Sequence, residues 1–155
     1  MKLMESGDDV MEFKRVLVAY DGSEPSKSAL QHAIDLAEKD KEVHVNVVHI
    51  FQLPQYFIGD VFATASPQVN EEIYEYAEQL SAQAKETVSF LGDRATVDLI
   101  QGPAGQAILN YAEKHHNDLI IIGSRGLSGL KEFVLGSVSH HVVQNSRIPV
   151  LVMKS

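Results

Sequence analysis

Five short apolar runs alternate along the chain with longer stretches in which apolar residues recur every three or four positions. The runs, each mostly apolar, are residues 15–20, 43–50, 96–101, 118–122 and 149–153. Each is too short for a helix and is rich in β-branched residues, so each predicts a strand. Ala29, Leu30, Ala33, Ile34 and Ala37 share one helical face, after Ser23 as a candidate N-cap and Pro25 in the first turn. Val69, Ile73, Tyr76, Ala77, Leu80, Ala84 and Val88 predict a long second helix. Ala104, Ala107, Ile108, Tyr111 and Ala112 predict a third behind Gly102-Pro103, and Val138, Val142 and Val143 mark a fourth. Strand and helix in alternation predict a single α/β domain: an open parallel five-stranded sheet with helices on both faces.

Two segments stand outside this pattern. Residues 1–12 read as a solvated, mobile tail, leaving 13–155 as the folded domain. Residues 51–67 are rich in aromatics but show no clear period. They read as a long loop that covers a ligand or meets a partner.

Composition narrows the function classes. At 155 residues and 45% apolar content the chain can bury the core of one domain. It has no cysteine, which excludes disulfides, a thiol nucleophile and cysteine-ligated zinc. The first residues contain no apolar signal core, and no run approaches the ~20 residues of a membrane span. The expectation is a cytoplasmic protein with no membrane partner. Net charge is −8, from 21 acidic and 13 basic residues, with no basic stripe, so no nucleic-acid partner is expected. Seven histidines include two adjacent pairs, but neighbours on a helix point in different directions and no H-E-x-x-H occurs. No histidine metal site is expected, and His49 reads as packed.

The chemistry concentrates behind the fourth strand. Gly123-Ser124-Arg125-Gly126, nine further residues, then Gly136-Ser137 link an apolar strand to a helix start. Glycines permit positive φ or let a ligand approach the backbone without a Cβ in the way. Ser137 is placed to cap the following helix, whose N-terminus favours an anion. The loop reads as a phosphate cradle, with Arg125 or Lys131 as a further charge partner. It is neither a P-loop nor a dinucleotide fingerprint.

The chain here resembles the universal stress proteins, whose ATP-binding members carry G-x2-G-x9-G-[ST]. Gly123, Gly126, Gly136 and Ser137 match that motif, and residues 16–23, 47–50 and 148–152 match the family's strands. The resemblance implies strand order 3-2-1-4-5 and a site for ATP with Mg²⁺. It places adenine and ribose against Ala19 and Ile50, and phosphates at Gly123, Arg125, Gly126, Gly136, Ser137, Val138 and Ser139. In that order the connections diverge between strands one and four, where a ligand crevice is expected. Asp21 sits beside the crevice and suits Mg²⁺ or the ribose and phosphate region. Blander roles stand beside these: a turn aspartate, core residues at 19 and 50, capping serines and a solvated arginine.

Three functions remain open on the sequence. One is an ATP-binding regulator of the stress response, with hydrolysis slow or absent. Another is an ATPase or nucleotidyl-transfer enzyme, although the S-G-G-x-D-[ST] loop of ATP pyrophosphatases is absent. The last is a module that holds AMP or another adenine compound. The fifth strand is apolar on both alternating sets of positions and the chain stops soon after it, which predicts a homodimer through that edge.

Overall fold

The computed structural model describes residues 12–126 and 135–154. The expected tail, apart from Glu12, and Lys131 of the glycine loop lie outside the described residues. In chain order the elements are β1 (Arg15–Ala19), α1 (Glu24–Lys39), β2 (His44–Phe51), β3 (Gln55–Ile58), β4 (Val61–Thr64) and α2 (Pro67–Val88). A 3₁₀ segment (Ser89–Arg94) then leads to β5 (Ala95–Gln101), α3 (Ala104–Lys114), β6 (Leu119–Gly123), α4 (Ser137–Asn145) and β7 (Val150–Met153).

The main sheet is parallel, in the order β5-β2-β1-β6-β7. Counting its strands along the chain, this is the expected order 3-2-1-4-5. Successive residues of β1 and β6 point to opposite faces, and both faces are covered. Val16, Val18, Leu119 and Ile121 pack with α1 and α2, including Ala29, Ala33, Leu80 and Ala84. Leu17, Ile120 and Ile122 pack instead with Ile108 and Tyr111 of α3 and Val142 of α4. This is why the central strands read as continuous apolar runs rather than as an alternation. Asp118 fixes the register at the foot of the sheet, its carboxylate accepting from the backbone N–H of Lys14 at 2.8 Å and Arg15 at 3.0 Å.

The structure corrects the sequence reading of residues 51–67. They contain a β-hairpin, with β3 and β4 antiparallel in a sheet of their own. Its two-residue turn, Gly59-Asp60, has positive φ at the glycine (62°) and not at the aspartate, the pattern of a type II′ turn. The helix boundaries also move slightly. Ser23 caps α1 through its Oγ as expected, whereas α4 starts at Ser137 with Gly136 as its N-cap. Ser137 is therefore the first helical residue and not the cap, and no side chain caps that helix.

Candidate functional site

The chain leaves β1 through a tight turn into α1 and leaves β6 through the glycine loop into α4. These helices lie on opposite faces of the sheet. The carboxyl ends of the paired strands β1 and β6 thus open a crevice, the place where ligands bind in open α/β sheets. A cavity of about 320 Å³ occupies it, within the size range of small-molecule sites.

Every candidate residue named from the sequence lines this cavity, apart from Lys131, which lies outside the described residues. The strand side supplies Ala19, Ile50 and Gly123, with Asp21 from the β1–α1 turn. The loop and helix side supplies Arg125, Gly126, Gly136, Ser137, Val138 and Ser139. Tyr20, Ser26, Val48, Ala104, Ile108 and Ile122 also line it and were missed. Four of these were recoverable from periodicity: Val48 lies two residues before Ile50 in a strand, Ile122 precedes Gly123, and Ala104 and Ile108 are i, i+4 on one helix. Sequence offered no signal for Tyr20 and Ser26 beyond their closeness to Asp21.

Asp21 occupies two roles at once. Its Oδ1 accepts hydrogen bonds from the backbone N–H of Ser23, at 2.9 Å, and from the Ser23 hydroxyl. That is the local turn expected of an aspartate here. Oδ2 faces the glycine loop, only 2.8 Å from where a Cβ on residue 126 would stand. The Ser26 hydroxyl accepts from Asp21 N–H at 3.3 Å, which ties the turn to the start of α1. Burial pushes the Tyr20 phenol up, so it stays neutral and is a poor base.

The three motif glycines sit in different surroundings, and none has positive φ. A Cβ at Gly123 would lie 2.8 Å from Pro25 Cβ and 3.0 Å from backbone atoms of Pro25 and Ser26, so this glycine lets α1 pack against the end of β6. Gly126 makes room for the Asp21 carboxylate. A Cβ at Gly136 would meet protein only at 3.5 Å or more, an ordinary contact. Gly136 is thus the one of the three whose bareness the surrounding protein does not demand.

The loop ends are stapled together. The Ser124 carbonyl accepts from Gly136 N–H at 2.7 Å and from the buried Ser139 hydroxyl at 2.8 Å. The single hydroxyl hydrogen of Ser139 is therefore engaged within the protein, and its side chain does not donate to a ligand. The first N–H groups of α4 have no intrahelical acceptor and no capping side chain. With the helix dipole behind them, they suit an anion. Asp21 suits a hard cation, but the described residues hold no cluster of three or more His, Cys, Asp or Glu. A cation at Asp21 would complete its shell with ligand oxygens and water.

Two of the histidines make structural contacts. His49 is buried, and its Nδ1–H donates to the Tyr20 carbonyl at 2.7 Å, joining the ends of β1 and β2 beside the cavity. His115 stacks on Tyr111 with ring centroids 3.9 Å apart. A second cavity of about 400 Å³ lies near the opposite end of the sheet, lined by residues such as Leu109, Asn117 and Arg147. It lacks the strand carboxyl ends and the bare helix N-terminus of the first.

A parallel α/β sheet, a crevice at its topological switch point and a bare helix N-terminus make a site whose geometry suits a small anionic ligand. The chain belongs to the universal stress protein family, whose model matches residues 12–154. It is 34% identical over 156 aligned positions to universal stress protein YxiE of Bacillus subtilis, covering 92% of this chain and 99% of that one. Among solved structures it resembles hypothetical protein MJ0577, with a TM-score of 0.72, 25% identity, and 92% and 96% of the two chains covered. The universal stress protein from Archaeoglobus fulgidus in complex with dAMP matches at a TM-score of 0.66 and 20% identity, covering 92% and 98%. Two further neighbours, at TM-score 0.61, were solved with cAMP and, in a protein from Arabidopsis thaliana, with AMP. No helix among the described residues is long and apolar enough to cross a membrane.

Proposed function

We propose that this protein binds an adenine nucleotide, ATP with Mg²⁺, and acts as a nucleotide-dependent regulator in the stress response. The observation that carries this reading is the convergence of Asp21, the apolar ends of β1 and β2, and the bare N-terminus of α4 on one cavity. Ala19, Val48, Ile50 and Ile108 supply an apolar wall of the kind a purine ring packs against. The N–H groups of Ser137, Val138 and Ser139 suit the phosphates, with Arg125 beside them. Asp21 Oδ2 would hold a magnesium ion, which would supply positive charge against the phosphates. The neighbours solved with dAMP, AMP and cAMP support an adenine ligand in this fold.

Hydrolysis is slow or absent in this reading. Fast phosphoryl transfer needs an oriented water as well as charge stabilisation. Among the described residues lining the cavity, the titratable side chains are Tyr20, Asp21 and Arg125. Tyr20 is held neutral, the Arg125 guanidinium offers only donors, and Asp21 is tied into its own turn. The output then comes from the bound state of an assembly, a homodimer joined through β7. That strand lies at the sheet edge, and its four residues are half-buried.

Gly136→Val tests the site more cleanly than a change at Gly126, where any Cβ would also displace Asp21. Residue 136 has φ −60°, which valine adopts without strain. Calorimetric titration should show Mg·ATP binding to the parent in preference to GTP, and at least about a tenfold loss in the variant. Equal ATP affinity in both proteins contradicts the cradle. Tighter binding of AMP than of Mg·ATP moves the reading to the AMP-holding module.

A further inference from the structure

The β3–β4 hairpin contributes no residue to the lining of the crevice cavity, yet its surface is strongly apolar. Tyr56, Phe57, Ile58, Val61 and Phe62 are 52%, 77%, 72%, 66% and 53% exposed. The register Phe57↔Phe62 and Ile58↔Val61 puts these pairs on opposite faces, so the ribbon is apolar on both sides. Phe57 and Phe62 pack edge to face on one another, with centroids 5.8 Å apart. The strands pair with each other in a sheet separate from the main one, so each has an edge that this pairing leaves open. A lone two-stranded ribbon is marginal in water. An exposed apolar ribbon with open edges invites a third strand.

We propose that this hairpin is an assembly arm that packs against the same arm of a second copy of the chain about a two-fold axis. Charge selects this occupant. Across residues 53–67 the one charged side chain is Asp60, in a chain of net charge −8. A two-fold contact joins the same patch of both copies, so two acidic chains approach best where that patch carries almost no charge. A basic partner would have nothing to recognise here. Area fits a weak contact. These three aromatic and two aliphatic side chains are divided between the two faces, so the face that meets the copy offers on the order of 300 Å². Two copies bury roughly 600 Å², the scale of a weak, transient interface. Pairing would also turn two marginal ribbons into one four-stranded unit.

This contact is separate from the β7 edge. The hairpin continues from β2, which β1 and β6 separate from β7 in the sheet. It does not depend on the nucleotide reading.

Sedimentation equilibrium of the full chain, across about 1 μM to 1 mM, spans the affinity of a weak interface. The comparison is with Phe57→Ser/Phe62→Ser, both exposed positions that leave the core untouched, and with Val152→Lys at the β7 edge. The parent should reach twice the particle mass of the double variant, and Val152→Lys should keep the concentration-dependent step that the double variant loses. Circular dichroism checks that each variant stays folded. Equal mass for parent and double variant at every concentration overturns the arm. So does an unchanged mass with altered ATP affinity, which would make the hairpin a cover for its own site.

Discussion

At the scale of single residues, Asp21 forms the expected local turn through Oδ1 while Oδ2 faces the glycine loop. Ser139 went the other way: its position suggested a phosphate ligand, and burial turned its hydroxyl onto the Ser124 carbonyl. No pattern in sequence distinguishes a serine that closes a loop from one that faces a ligand. Away from the site, Lys14 Nζ pairs with Asp40, Glu12 and Glu42. The hydrogen bond from Lys14 holds the Asp40 carboxyl below its ordinary 3.8, and the Lys14 ammonium is raised chiefly by Asp40. A depressed carboxyl contributes stability that is present above its unfolded value and is lost as pH falls through the folded one. Asp40→Asn should therefore lower the urea midpoint most near neutral pH, with the gap to the parent closing below about pH 4. A gap that stays constant down to pH 2 contradicts the assignment.

At the scale of elements, periodicity was legible wherever one face of a helix or both faces of a strand met the core. It failed at the β3–β4 hairpin for a physical reason. Phe57 and Phe62 on one face and Ile58 and Val61 on the other remove the alternation that identifies a half-buried strand. The turn itself was in plain view, since Gly59-Asp60 between two apolar triplets is a Gly-X hairpin signal. The α4 boundary was missed by one residue because a serine is the more usual cap than the glycine before it. Element packing also separates glycines that look alike in the motif. Gly123→Ala drives a Cβ into the backbone of α1, and overpacking of this kind costs about 1–3 kcal/mol. Gly136→Ser has room and supplies a better cap, so its stability should stay within about 0.5 kcal/mol of the parent. Equal losses in denaturant unfolding of the two variants would mean that α1 does not press on the end of β6.

At the scale of the whole molecule, the order β5-β2-β1-β6-β7 does the most for function. It puts β1 beside β6 and so joins Asp21 to a loop about a hundred residues later in the chain. Apolar runs alone did not reveal that order; it came from the family resemblance, because parallel strands of similar composition carry no label for their neighbours. In a chain of net charge −8, an anion is favoured by local N–H groups rather than by the overall field. The central claim is that an adenine nucleotide sits at the carboxyl ends of β1 and β6. Backbone amide NMR of the labelled protein during titration with Mg·ATP tests it most directly. The account predicts shifts at Ala19, Asp21, Gly126, Ser137 and Val138, saturating together with Ile50. Shifts confined to Leu109, Asn117 and Arg147 around the other cavity, or no shifts at millimolar nucleotide, would contradict it.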